Sequence, residues 1–221
     1  MEDCKKRTVT ALVLNAIMVV LGVLGIVFSI HRHGIAVFEY YTENSNYFSF
    51  IVSCIYCVVG MLALKNKTTI AKWVNILRFV ATTCLTVTFI VVIFVLIPMD
   101  TSLTMFLLFE GSSLYQHLLC PIISVVSFLF FENYEKLSKN SVIFAVLPTL
   151  VYGVVTLIFN GVGLMVGPYP FLMVTVYKWY EILVLLFGVV LIVAGVIAGL
   201  YFLHNRKFYK KKNKNQVNTV T

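Results

Sequence analysis

Six uninterrupted apolar stretches, at residues 8–30, 47–64, 76–98, 114–131, 142–160 and 179–204, dominate the chain. Each is near or above the ~17 residues that a helix needs to cross ~30 Å of hydrocarbon. Lipid offers no partner for backbone N–H and C=O groups, so only helices or closed barrels span it. The runs are continuous rather than alternating, which excludes the barrel. The second and fourth are short and are predicted to begin about a turn earlier, in the polar residues before them. Of the 221 residues 60% are apolar and only 12% charged, where soluble domains carry ~25% charged residues. The expected fold is all-α: a polytopic integral membrane protein with six transmembrane helices. A large soluble domain, a disordered chain and a disulfide-rich secreted module are excluded.

The net charge of +8 matters through its placement. Lys5, Lys6 and Arg7 precede the first stretch, Lys65, Lys67 and Lys72 follow the second, and Lys136 and Lys139 follow the fourth. Arg206, Lys207, Lys210, Lys211, Lys212 and Lys214 form a basic tail, whereas the opposite loops hold only Arg32 and Lys178. Arg78 falls near the inner end of the third span. This asymmetry predicts cytoplasmic termini and a multi-pass protein of the cell membrane. Residues 1–204 read as one six-helix domain and 205–221 as a tail that meets anionic headgroups rather than nucleic acid. The first run, with ~23 apolar residues, exceeds a signal-peptide core and reads as a retained helix. Of the five cysteines, Cys54, Cys57, Cys84 and Cys120 lie inside apolar runs and Cys4 near the start, so no disulfide framework is expected.

With the helices so oriented, polar residues gather toward the outer side. Thr42, Ser45, Asn46, Ser49 and Ser53 follow spacings of three and four, one helical face if the second helix reaches back to Thr42. His117 lies about a turn inside the fourth span; Asn160 closes the fifth, and Tyr180 and Glu181 open the sixth. The third loop carries Asp100 and Glu110 around an apolar stretch at 103–109. The fifth loop, 161–172, is apolar yet rich in Gly and Pro, a composition that would let it roof a cavity.

An ionisable residue inside a span is costly in lipid and points to function. His117 is such a residue, and a histidine can remove the proton that keeps a threonine hydroxyl a poor nucleophile. The expected chemistry is acyl transfer, with Thr42 as nucleophile and His117 as base. Asn44, Asn46, Tyr115 and Gln116 are available as donors to a developing oxyanion, and Glu43 or Glu110 to orient the histidine. Tyr169 and Glu181 complete the candidate substrate-binding set. The substrate expected is a lipid ester entering from the bilayer; no cofactor, metal or nucleic acid is implied.

These residues carry a resemblance. Tyr41 and Thr42, after the aromatic approach of Phe38, Glu39 and Tyr40, with Ser45 and Asn46 behind them, form one motif. His117 with Pro121 and the segment Pro168, Tyr169, Pro170, Phe171 form two others. In these the chain resembles the androgen-induced membrane proteins and their bacterial six-pass relatives. The resemblance implies a multi-pass hydrolase of fatty acid esters of hydroxy fatty acids, and transfers the catalytic pair as Thr42 and His117 only.

Other readings remain. Cys54 and Cys57 have C-x-x-C spacing, but their mid-span position reads as small-residue packing. Cys120, three residues after His117, offers a Cys–His acyltransferase. Thr82, Thr83, Thr86, Thr149, Tyr152 and Thr156 would line the path of a small transporter or a binding module without catalysis. His31 and His33 have no further ligand nearby to complete a metal set, and His204 marks the inner interface. Gly161 and Gly163 lack the strand context of a dinucleotide loop.

Overall fold

The computed structural model describes residues 2–132 and 135–217, and side chains within 5–132, 135–206 and at 208. The side chains of Cys4, Lys207, Lys210, Lys211, Lys212 and Lys214 lie outside it. Six helices are long and apolar enough to cross a membrane, and no strand occurs among the described residues. They are α1 (Glu2–His33), α2 (Tyr41–Asn66), α3 (Lys72–Met99), α4 (Leu114–Phe131), α5 (Asn140–Gly161) and α6 (Trp179–Val217). The protein is thus a multi-pass membrane protein of the expected all-α class. The start of α1 and the end of α6 share one face, the terminal face; the long loops form the distal face. The last helix continues without a break through residue 204, where the tail was expected to begin.

Buried Val74, Phe79, Ala81, Leu85 and Val87 make α3 the hub against which α2, α4, α5 and α6 pack, while α1 packs on α2 and α4. Association in lipid rests on close packing and interhelical hydrogen bonds, not on expulsion from water. Gly60 shows the first: a Cβ there would stand 2.7 Å from Leu12 of α1. The threonines of α3 show the second, for Thr82 meets Ser124 of α4 at 2.8 Å. Thr83 and Thr86 return to their own helix, donating to Phe79 O and Thr82 O.

The second span begins early, as expected, and the fourth does not. The second begins at Tyr41, six residues before the apolar run, because Tyr40 turns extended and the buried polar face of α2 finds partners on α3 and α4. The fourth begins at Leu114 without an earlier turn. Wide π turns occupy Val92–Leu96 and Leu114–Leu119, each just ahead of a proline, Pro98 and Pro121. A proline ring collides with the carbonyl four residues back and supplies no N–H. Those carbonyls belong to Phe94 and His117, so the helix opens by one residue there.

At the terminal face lies a charge pair that sequence reading missed. Arg78 and Glu132 are both 0% exposed and bonded twice, Nε to Oε2 at 2.8 Å and an Nη to Oε1 at 3.0 Å. Asn15 and Ser127 also donate to Glu132, at 2.9 and 2.6 Å, and Arg78 reaches Ser53 at 3.4 Å. The signal was present: Glu132 abuts the end of the fourth apolar run at the level where Arg78 enters the third.

Candidate functional site

Thr42 is the second residue of α2, after the extended Tyr40 that caps the helix without a side-chain bond. First-turn N–H groups have no partner within their own helix. That of Thr42 donates to the phenol oxygen of Tyr169 at 3.2 Å, and the same phenol donates to Thr42 Oγ1 at 3.4 Å. The Thr42 hydroxyl itself donates to no acceptor among the described residues. Ser45 Oγ and Asn46 Nδ2 both donate to the Thr42 carbonyl, at 2.9 and 2.8 Å. The five-residue polar face from Thr42 to Ser53 is buried throughout, as its spacing predicts.

Tyr169 is held there by the fifth loop, which folds into the bundle. Asn160 ties the loop at both ends, donating to Met165 O at 2.9 Å and accepting from Val174 N–H at 2.8 Å. Gly167 passes so close to residue 172 that a Cβ there would collide with the Leu172 carbonyl. Phe171 stacks on Tyr169 with ring centroids 5.3 Å apart, and both are buried with Leu172. Burial pushes the Tyr169 phenol up to about 12, so it stays a proton donor at neutral pH.

Beneath this loop is a cavity of about 420 Å³. Thr42, Tyr169, Phe171 and Leu172 stand at its distal end, with Val87, Thr88 and Val91 of α3. Its walls run from Val146 to Leu157 on α5 and from Leu186 to Ile197 on α6. At 1.5 Å per residue both walls are ~16 Å long. Lining residues Leu150, Val154 and Val190 are more than 45% exposed, so the cavity opens sideways between α5 and α6. Its other hydroxyls are engaged: Thr88 with Ser45 at 2.8 Å, Thr149 with Tyr41 at 2.8 Å, and Tyr152 with Glu39 O at 2.7 Å.

His117 sits in the π turn of α4, buried, with Nδ1 2.6 Å from the Leu107 carbonyl. A carbonyl can only accept, so Nδ1 carries the proton and Nε2 keeps its lone pair. Leu107 belongs to a short loop helix, Thr104–Phe109, formed from the apolar stretch of the third loop. Arg32 pins this helix, lying over the Phe106 ring at 4.4 Å and 3.6 Å from Glu110. No hydrogen bond joins His117 to Thr42 among the described residues, and His117 does not line the cavity. The link between them is Asn46, whose Nδ2 spans Thr42 O at 2.8 Å and Gln116 O at 3.1 Å.

The remaining candidates separate. Asn44 turns back to Phe38 O in the preceding turn, at 2.8 Å. Tyr115 faces α1, stacked on Phe28 at 6.1 Å. Gln116 reaches Glu43 at 2.6 Å on the other side of α2. Glu181 caps α6 by accepting from Lys178 N–H at 3.0 Å. Neither glutamate orients His117: Glu43 is taken by Gln116, Glu110 faces Arg32, and the Leu107 backbone holds the ring instead. Cys120 packs with Met18 and Leu85, Cys57 lies 3.9 Å from Leu12 O, and both are free thiols. His204 stacks on Phe128 at 4.7 Å. The described residues include no cluster of His, Cys, Asp and Glu fit to hold a metal. Compared with known family models, curated proteins and solved structures, the chain matches none, so the site is read from its own residues.

Proposed function

We propose that the protein is an intramembrane lipid-ester hydrolase in which Thr42 is the nucleophile and His117 the base. The observation that carries this reading is a threonine hydroxyl that donates to no acceptor, at the distal end of an apolar cavity open to the bilayer. An acyl chain entering between α5 and α6 lies along the ~16 Å walls with its ester at Thr42. Thr42 Oγ bonds to the acyl carbon while the hydroxyl proton passes through water to His117 Nε2; the alkoxide leaves with that proton. Water then cleaves the acyl-threonine ester, again through His117. Tyr169, protonated and 3.4 Å from Thr42 Oγ1, supplies a donor to the oxyanion. The Nδ1–Leu107 bond supports the base role, since it leaves Nε2 as the proton acceptor. The lysine and arginine distribution supports a distal face turned outward. The likeness to the androgen-induced membrane proteins supports the same residue pair.

A second reading, lipid binding without catalysis, is favoured by one observation: His117 stands outside the cavity lining. Fluorophosphonate labelling of the purified chain separates the two. Hydrolysis predicts labelling of wild type, its loss in Thr42→Ala and a strong reduction in His117→Ala, with lipid-ester turnover following the same order. Equal labelling of all three, with copurifying lipid displaced by a bulky Ala194→Trp in the cavity wall, establishes the binding reading instead.

A further inference from the structure

We propose that Asn46 is a positioning residue of this site: it stands in for a backbone donor that Pro121 lacks and fixes the histidine turn of α4 to the turn of α2 that carries Thr42. In the π turn at Leu114–Leu119 the N–H of Cys120 goes to the Tyr115 carbonyl, five residues back. The next carbonyl, that of Gln116, would be met by residue 121, which is proline and has no N–H. Gln116 is 2% exposed, so bulk water does not supply the missing donor. Buried backbone carbonyls are normally paired, and here the partner is Asn46 Nδ2 at 3.1 Å.

The same nitrogen donates to Thr42 O at 2.8 Å. Both partners are carbonyl oxygens, so the NH₂ end of the amide must face them. With its two hydrogens committed in this way, Asn46 has none left for an oxyanion, the part its place in the sequence suggested. One nitrogen therefore holds the backbone next to His117 and the backbone of Thr42 within two hydrogen-bond lengths of each other. Glu43, three residues earlier on α2, adds a second grip by accepting from the Gln116 side-chain amide at 2.6 Å. Gly25 of α1 makes room for that side chain, since a Cβ there would stand 3.2 Å from Gln116 Cγ. The Leu107 carbonyl thus sets which ring nitrogen of His117 carries the proton, and Asn46 sets where the ring stands relative to Thr42. The consequence for turnover rests on the hydrolase reading; the link between the helices does not.

The test uses the full chain in nanodiscs. Solid-state NMR of the wild type should show dipolar coupling between the Asn46 side-chain ¹⁵N and the Gln116 backbone ¹³C carbonyl, with one set of His117 ring ¹⁵N signals. Asn46→Leu keeps the side chain's size and removes both donors. It should shift or split the His117 signals and lower kcat for a lipid ester by about 10²-fold, with KM little changed. Adding Pro121→Ala gives Gln116 O a backbone donor, so the melting temperature should return toward wild type. Turnover and the His117 signals should stay altered, because the tie to α2 is still missing; an Asn46 that only satisfied a carbonyl would be rescued in all three. If Asn46→Leu does not fold, the wild-type coupling carries the test. Absence of that coupling, unchanged His117 signals and turnover in Asn46→Leu, or full rescue by Pro121→Ala overturns the proposal. A wild type that turns over no ester, but whose His117 signals change in Asn46→Leu, upholds the link and removes the hydrolase reading alone.

Discussion

The two buried polar layers of this bundle are built on opposite terms. At the terminal face, Arg78 and Glu132 meet in a doubly bonded pair, and Asn15, Ser53 and Ser127 occupy most of the remaining donors and acceptors. At the distal face, Thr42 has a hydroxyl without an acceptor, His117 an imidazole with one nitrogen engaged, and Glu43 a buried carboxyl with no Lys or Arg beside it. The charge pair and its donors at one end close α1, α3 and α4 together and leave Asn15 Oδ1 without a partner beside them. Incomplete pairing at the other leaves groups available to something that is not protein. Polar chemistry inside a membrane protein therefore does two jobs here, told apart by what each atom has left to offer.

The sharpest way to break the contrast is to unbalance the charge-paired layer. Arg78→Ala leaves Glu132 buried and unpaired, an expected loss of about 3–5 kcal/mol, seen as loss of the monodisperse peak or a large drop in melting temperature. Replacing both charges, Arg78→Met with Glu132→Met, should recover most of that stability; failure to recover would place the pair among the working groups. In the distal layer the expected effects reverse. His117→Ala should lower lipid-ester turnover by about 10²–10⁴-fold, the usual worth of a general base, with a melting temperature within experimental error of wild type.

Smaller effects sharpen the boundary between the layers. Gly167→Ala forces the fifth loop away from Leu172 and should cost about 1–3 kcal/mol as an overpacked contact, with a loosened Tyr169 visible as faster hydrogen exchange at the Thr42 amide. Tyr169→Phe removes one hydrogen-bonding group and should reduce turnover by about tenfold, in line with ~1.4 kcal/mol. Its folded-state pKa lies above the ordinary phenol value, so its proton is retained through neutral pH and lost only as pH rises toward about 12. A turnover decline between pH 7 and 9 that persisted in Tyr169→Phe would assign that limb to another group.

Long-range apolar patterning made the spans legible, since a continuous run can only be a helix in lipid. The polar face of α2 was also legible, because spacing of three and four needs no knowledge of the partner helix. Partners were not. Asn44 and Asn46 are alike in sequence, yet one turns back to Phe38 O and the other bridges α2 to α4. Which neighbour each meets depends on how α2 rotates against α4, a matter of packing. Glu132 escaped notice because it follows an apolar run and resembles an interfacial residue until Arg78 is seen beside it. The orienter of His117 could not be read at all: it is a backbone carbonyl, which every residue carries.

The sideways opening between α5 and α6 has a kinetic consequence. A ligand that reaches Thr42 through that gap is presented by the bilayer, so its effective concentration is its mole fraction among lipids and not its amount per litre. Adding inert phospholipid at fixed ester and protein should then slow the reaction by surface dilution, while doubling the volume of buffer should leave it unchanged.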